Sequence, residues 1–122
     1  MSIDPFTRTM DITAMTGLTD KLAQCKWGGG VLDPNSGNIY AMPRNAASIL
    51  VINPSTNTTE SITLLNTTVS PIDGTKMWYS GCVYFPITGM IYGIPYNSEH
   101  VLILDPVTND QDFTKMKGLT GD

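Results

Sequence analysis

Charge is what this chain has least of. Only 15% of its 122 residues are Asp, Glu, Lys or Arg, well below the ~25% of ordinary globular domains. Acidic residues outnumber basic ones, 11 to 7, for a formal net charge of -4. That balance argues against a nucleic-acid or anionic-membrane partner, because either wants a basic stripe. Histidine occurs once, at His100, so a Ser/His/Asp or Cys/His site would have to use it. The two cysteines, Cys25 and Cys82, read most plainly as small buried free thiols. No apolar run approaches the ~18 residues of a membrane span, and no segment near the start has the form of a signal peptide. No stretch carries a sustained helical period, and a single turn over residues 20–26 is all that the pattern allows.

What is there is strand-forming and repetitive. Apolar residues make up 41% of the chain, enough for a packed core. The uncharged polar places are filled by Thr, Asn and Ser. Residues 27–58 match residues 79–110 at a constant offset of 52: Gly29 with Gly81, Val31 with Val83, Pro34 with Pro86, Gly37 with Gly89. Ile39-Tyr40 falls on Ile91-Tyr92, Pro43 on Pro95, Leu50 on Leu102, Pro54 on Pro106 and Thr56-Asn57 on Thr108-Asn109. A period near fifty residues marks units that bury their cores only against their neighbours.

Each unit divides into four short strands. The first spans 27–32 and 78–85, the second 39–42 and 90–94, and the third 49–52 and 101–104. The fourth spans 60–65 and 112–116, and an unpaired extra copy over 10–15 precedes the first unit. Pro and Gly punctuate the segments, and Asn53 and Asp105 each open a turn with a side chain able to bond its own backbone. The large aliphatics Ile39, Leu50 and Ile52, with Ile91, Leu102 and Leu104, are expected to form a core between the units.

Gly-x-Ile-Tyr, an apolar run, Asx-Pro-x-Thr-Asn and an Ile-rich strand together resemble the β-propeller repeats of the YVTN and NHL type, over roughly residues 26–117. The Gly-His and Trp-Asp pairs of the WD40 pattern are absent. The resemblance implies an all-β chain of two tandem four-stranded antiparallel blades with an extra N-terminal strand. Residues 1–7 resemble a cloning leader, 8–25 hold the extra strand and a loop, 26–65 the first blade, 66–75 a loop and 76–117 the second blade. Residues 116–122 echo 15–20, and 118–122 are expected to begin a further repeat, as in a piece of a longer protein. Propellers are built of about four to eight blades. Two blades alone are therefore expected to associate, first as a trimer and next as a strand-exchanged dimer.

The residues that could carry chemistry are few. Asp33-Pro34-Asn35-Ser36-Gly37 is only faintly like a calcium loop, lacks the later acidic ligand and reads better as a turn. His100 is first an ordinary loop-edge histidine. No metal site and no cofactor is expected. In a propeller the loop entering the innermost strand and the loop joining strands two and three open on one face. That face would gather Trp27, Arg44 and Asn45 from the first unit, and Trp78, Tyr96, Asn97, Glu99 and His100 from the second. Flat aromatics beside amide and charged groups suit a protein or carbohydrate ligand. The plainer alternative makes the two Trp residues packing elements and the two Asn residues turn formers, since repeated positions usually serve the repeated structure. The leading expectation is a non-enzymatic scaffold that binds protein or glycan. A two-blade lectin closing by homo-oligomerisation is the alternative, and a fragment of a propeller enzyme is third.

Overall fold

A computed structural model describes residues 2–4, 9–11, 27–65, 79–96, 98, 100–114 and 116. The chain is all-β, and no helix occurs among the described residues. Strands β1 (Ser2–Asp4) and β2 (Thr9–Asp11) pair with each other as a two-stranded antiparallel sheet. The expected extra strand over 10–15 is thus described only at residues 10 and 11, and its partner there is the segment read as a leader. The proposed turn at 20–26 and the loop at 66–75 lie outside the described residues, apart from the loop's neighbour Leu65.

Two four-stranded sheets follow. The first consists of β3 (Trp27–Leu32), β4 (Ile39–Pro43), β5 (Ser48–Asn53) and β6 (Thr58–Thr63), paired in chain order. The second consists of β7 (Tyr79–Phe85), β8 (Met90–Pro95), β9 (Leu102–Leu104) and β10 (Gln111–Asp112), again in chain order. All neighbours are antiparallel. The observed fourth strands begin earlier than the sequence pattern placed them, at Thr58 and Gln111. The positive-φ residues just before them, Asn57 (55°) and Asn109 (63°), turn the chain back at once.

The same backbone devices occur at the 52-residue offset. Gly37 and Gly89 lie at φ of 76° and 72°, and Asn57 and Asn109 form the second pair. Glycine is the low-strain choice for such a conformation, and asparagine tolerates it better than other side chains. Gly37 N–H donates to Asp33 O and Gly89 N–H to Phe85 O, closing the same turn twice. Asn53 Oδ1 accepts from Ser55 N–H at 3.0 Å, and Asp105 Oδ1 from Val107 N–H at 2.9 Å. These are the Asx turns that the sequence pattern predicts. Each first strand also breaks register against its neighbour near its start, between Trp27 and Gly30 and between Tyr79 and Gly81.

The two sheets stack with β3 beside β7. At Gly28 a β-carbon would sit 2.7 Å from the backbone oxygen of Ser80, so only glycine permits this approach. The core between the sheets takes Tyr40, Met42, Ile49, Val51 and Leu64 from the first and Tyr79, Ile91, Leu102, Leu104 and Phe113 from the second. Gln111 ties the outer strands together. Its amide donates to Thr63 O at 2.9 Å and its Oε1 accepts from Leu65 N–H at 3.1 Å.

This core corrects half of the expected one. Ile91, Leu102 and Leu104 are fully buried between the sheets. Their counterparts Ile39, Leu50 and Ile52 lie on the far face of the first sheet and outside that cluster. The reason is geometric. Side chains alternate between the two faces of a strand, and positions matched by the offset occupy the same face of their own sheets. When similar sheets stack in succession, one face of the first meets the opposite face of the second. The first sheet therefore turns Tyr40, Met42, Ile49 and Val51 inward.

Candidate functional site

The end of the stack where β3 and β7 begin carries the described members of the expected site. Trp27 pairs with Pro43, and Tyr79 with Pro95. The β4–β5 loop and the β8–β9 loop therefore emerge beside the starts of the two first strands. Because Gly28 abuts Ser80, the two sheets present these starts at the same end. Trp27, Arg44 and Asn45 come to it from the first sheet, and Tyr96 and His100 from the second. Trp78, Asn97 and Glu99 lie outside the described residues.

Their environments differ. Trp27 is half-buried and its Nε1–H donates to Ser48 O at 2.8 Å, which commits the indole's one donor to the first residue of β5. Its role as a strap across the sheet is thus visible, and what it can offer a ligand is ring surface. Asn45 is buried in the β4–β5 loop and Arg44 is half-buried beside it. Tyr96 is the open aromatic, 62% exposed. His100 is half-buried, and its backbone N–H donates to Ser98 Oγ at 3.1 Å, whose hydroxyl donates to His100 O at 3.0 Å. The imidazole Nδ1 is buried with no hydrogen-bond partner among the described residues.

Sequence reasoning missed two residues here. Ser98 is 5% exposed and lies 3.4 Å, hydroxyl to hydroxyl, from the fully buried Tyr79. Burial raises the Tyr79 phenol above its ordinary pKa, opposed by the Ser98 hydrogen bond. The pair braces the β8–β9 loop against β7. At the 52-residue offset Tyr79 stands where Trp27 stands in the first unit, an aromatic match that pairing Trp27 with Trp78, one residue out of step, passed over.

Elsewhere the polar groups are spent on turns. Asp33, 2% exposed, accepts Asn35 N–H at 3.1 Å and Ser36 Oγ–H at 2.7 Å, so the faintly calcium-like segment closes on itself. A pocket of about 260 Å³ on the outer face of the second sheet is lined by Met90, Ile103, Asp105, Asp110, Gln111 and Asp112. Asp105 and Asp112 each accept backbone N–H groups of their own turns, from Val107 and Thr114. Among the described residues no three His, Cys, Asp or Glu side chains are placed to share a metal ion. Cys82 is a free thiol against the first sheet, its Sγ 3.4 Å from Tyr40 O. Burial pushes it up to about 11, and a backbone hydrogen bond from Met42 acts in the other direction. A thiol so protonated is a poor nucleophile. No protein-family model matches the chain, and no curated protein or solved structure matches it either.

Proposed function

We propose that this chain is a non-enzymatic β-propeller-type scaffold whose two sheets act as blades and bind a protein or glycan ligand at the end where β3 and β7 begin. The observation that supports this is convergence. Loops from both sheets bring Trp27, Arg44, Asn45, Tyr96 and His100 to one end, with Tyr96 open to solvent and the buried Ser98–Tyr79 contact behind it. A tyrosine has only two side-chain torsions to fix, so an exposed one loses little entropy on binding. Stacking on a sugar ring or a peptide side chain is the chemistry such a group supplies.

The test is a labelled chain on a glycan array and on a peptide library. Ligands of this site lose binding with Tyr96→Ala and keep it with Val107→Ala, which alters an exposed turn at the other end. Equal loss in both variants, or binding indifferent to Tyr96, would refute the placement.

A further inference from the structure

The stack has two outer faces, and the 52-residue offset says what each is equivalent to. On the outer face of the second sheet, Val83, Tyr92, Ile94 and Ile103 stand where Val31, Tyr40, Met42 and Val51 stand on the inner face of the first. On the outer face of the first sheet, Leu32, Ile39, Leu50 and Ile52 stand where Tyr84, Ile91, Leu102 and Leu104 stand on the inner face of the second. Every one of these positions is apolar or aromatic. What differs is cover. Met42 is 0% exposed and its counterpart Ile94 is 46%, while half-buried Val31 matches Val83 at 51%. Leu32 is 53% exposed where Tyr84 packs against the core. Leu50 and Ile103 are already buried, at 8% each, so the gaps lie around them.

We propose that the outer face of the second sheet packs on the outer face of the first sheet of another copy, reproducing between molecules the sheet-on-sheet contact seen within one. The occupant is a second copy of this chain because the exposed parts of the two outer faces, Leu32 on one and Val83 and Ile94 on the other, are the counterparts of surfaces that already fit each other. The contact is head-to-tail, so it leads to a closed ring or to an open filament according to the rotation per copy. One pair of residues makes the complementarity specific. At the rim of the internal contact Asn35 Nδ2 donates to Tyr84 Oη at 3.2 Å. The counterparts of that pair are Ile87, 83% exposed, and Leu32. A polar pair within the molecule is thus matched by an apolar pair across the proposed contact. This inference does not rest on the ligand site, which lies at the end of the stack and not on its faces.

Head-to-tail contact has a distinctive test by light scattering at micromolar to submillimolar concentration. The wild-type chain is expected to be multimeric. Ile87→Asp and Leu32→Asp alter opposite faces, so each alone is expected to be monomeric with an unchanged circular-dichroism spectrum. Mixed one to one, they retain one intact face each and are expected to form a heterodimer that grows no further. If Leu32→Asp lowers the melting temperature, Leu32→Ser serves in its place. A monomeric wild type overturns the proposal and leaves the faces to another occupant. A Leu32→Asp homodimer, which needs a two-fold contact of like faces, overturns it as well, and so does a mixture that stays monomeric.

Discussion

Truncation of Leu102 tests the stacking of the sheets most directly. Leu102 lies in the three-residue strand β9, fully buried and facing the first sheet. A β-carbon on Gly93 would lie 3.4 Å from its Cβ, and the same spot is 3.3 Å from Met42 and 3.2 Å from Tyr79, so the surroundings are tight. Leu102→Ala removes three carbons, a transfer loss of roughly 2.4 kcal/mol at ~0.8 kcal/mol for each. The cavity adds to this, because β9 is held by ladders to β8 and β10 and cannot collapse inward. A total of about 3–4 kcal/mol is expected, within the usual range for a buried leucine. Against a whole stability of ~5–15 kcal/mol, this lowers the melting temperature by roughly 12–16 °C for a chain of this size. The measurement is urea unfolding followed by circular dichroism, in a Leu32→Asp background so that self-association does not contribute to the apparent stability. The midpoint should fall with the slope unchanged. Ile94→Ala, on the uncovered face, should cost no more than about 1 kcal/mol in that background. Equal losses at the two positions, or a loss under ~1 kcal/mol at Leu102, would mean that the sheets do not stack on these faces.

Three further outcomes follow from the same geometry. Gly28→Ala forces a methyl group against the Ser80 carbonyl and should cost about 1–3 kcal/mol, whereas Gly29→Ala, with nothing within 4 Å of the added carbon, should stay near ~0.5 kcal/mol; thermal melts separate the two. Asn109→Val places a β-branched residue at φ 63° and should destabilise by roughly 1–3 kcal/mol, while Asn109→Gly should be close to neutral in the same melts. Cys82 has its folded pKa raised from 9.0 to about 11, so the unfolded thiol loses its proton first as pH rises. Its contribution to stability is therefore complete below about pH 9 and is lost through about pH 11. Tyr79, also raised by burial, acts in the same direction. Cys82→Ala should flatten part of that alkaline decline in urea titrations, and an identical pH profile in the variant would refute the attribution.

The sequence determined the local structure of this protein because its signals are local. Pro and Gly within residues 33–38 and 85–89 set turns, Asn53 and Asp105 bond their own backbones, and β-branched runs such as residues 49–52 leave no helical alternative. Two sheets of the same strand order follow from the self-match, as do the loops that bring Trp27, Arg44, Asn45, Tyr96 and His100 to one end. The face that each sheet buries was not legible. Alternation separates Tyr40 and Met42 from Ile39 and Ala41, but all four are apolar, and pattern alone cannot rank two apolar faces. The Ser98–Tyr79 brace escaped for a similar reason, since Ser and Tyr 19 residues apart form a pair only once β7 lies beside the β8–β9 loop. Only the tertiary structure decided these points. Strand and turn are fixed by each residue and its close neighbours in the chain, whereas inside and outside are fixed by what packs against a face, and that partner is distant in sequence.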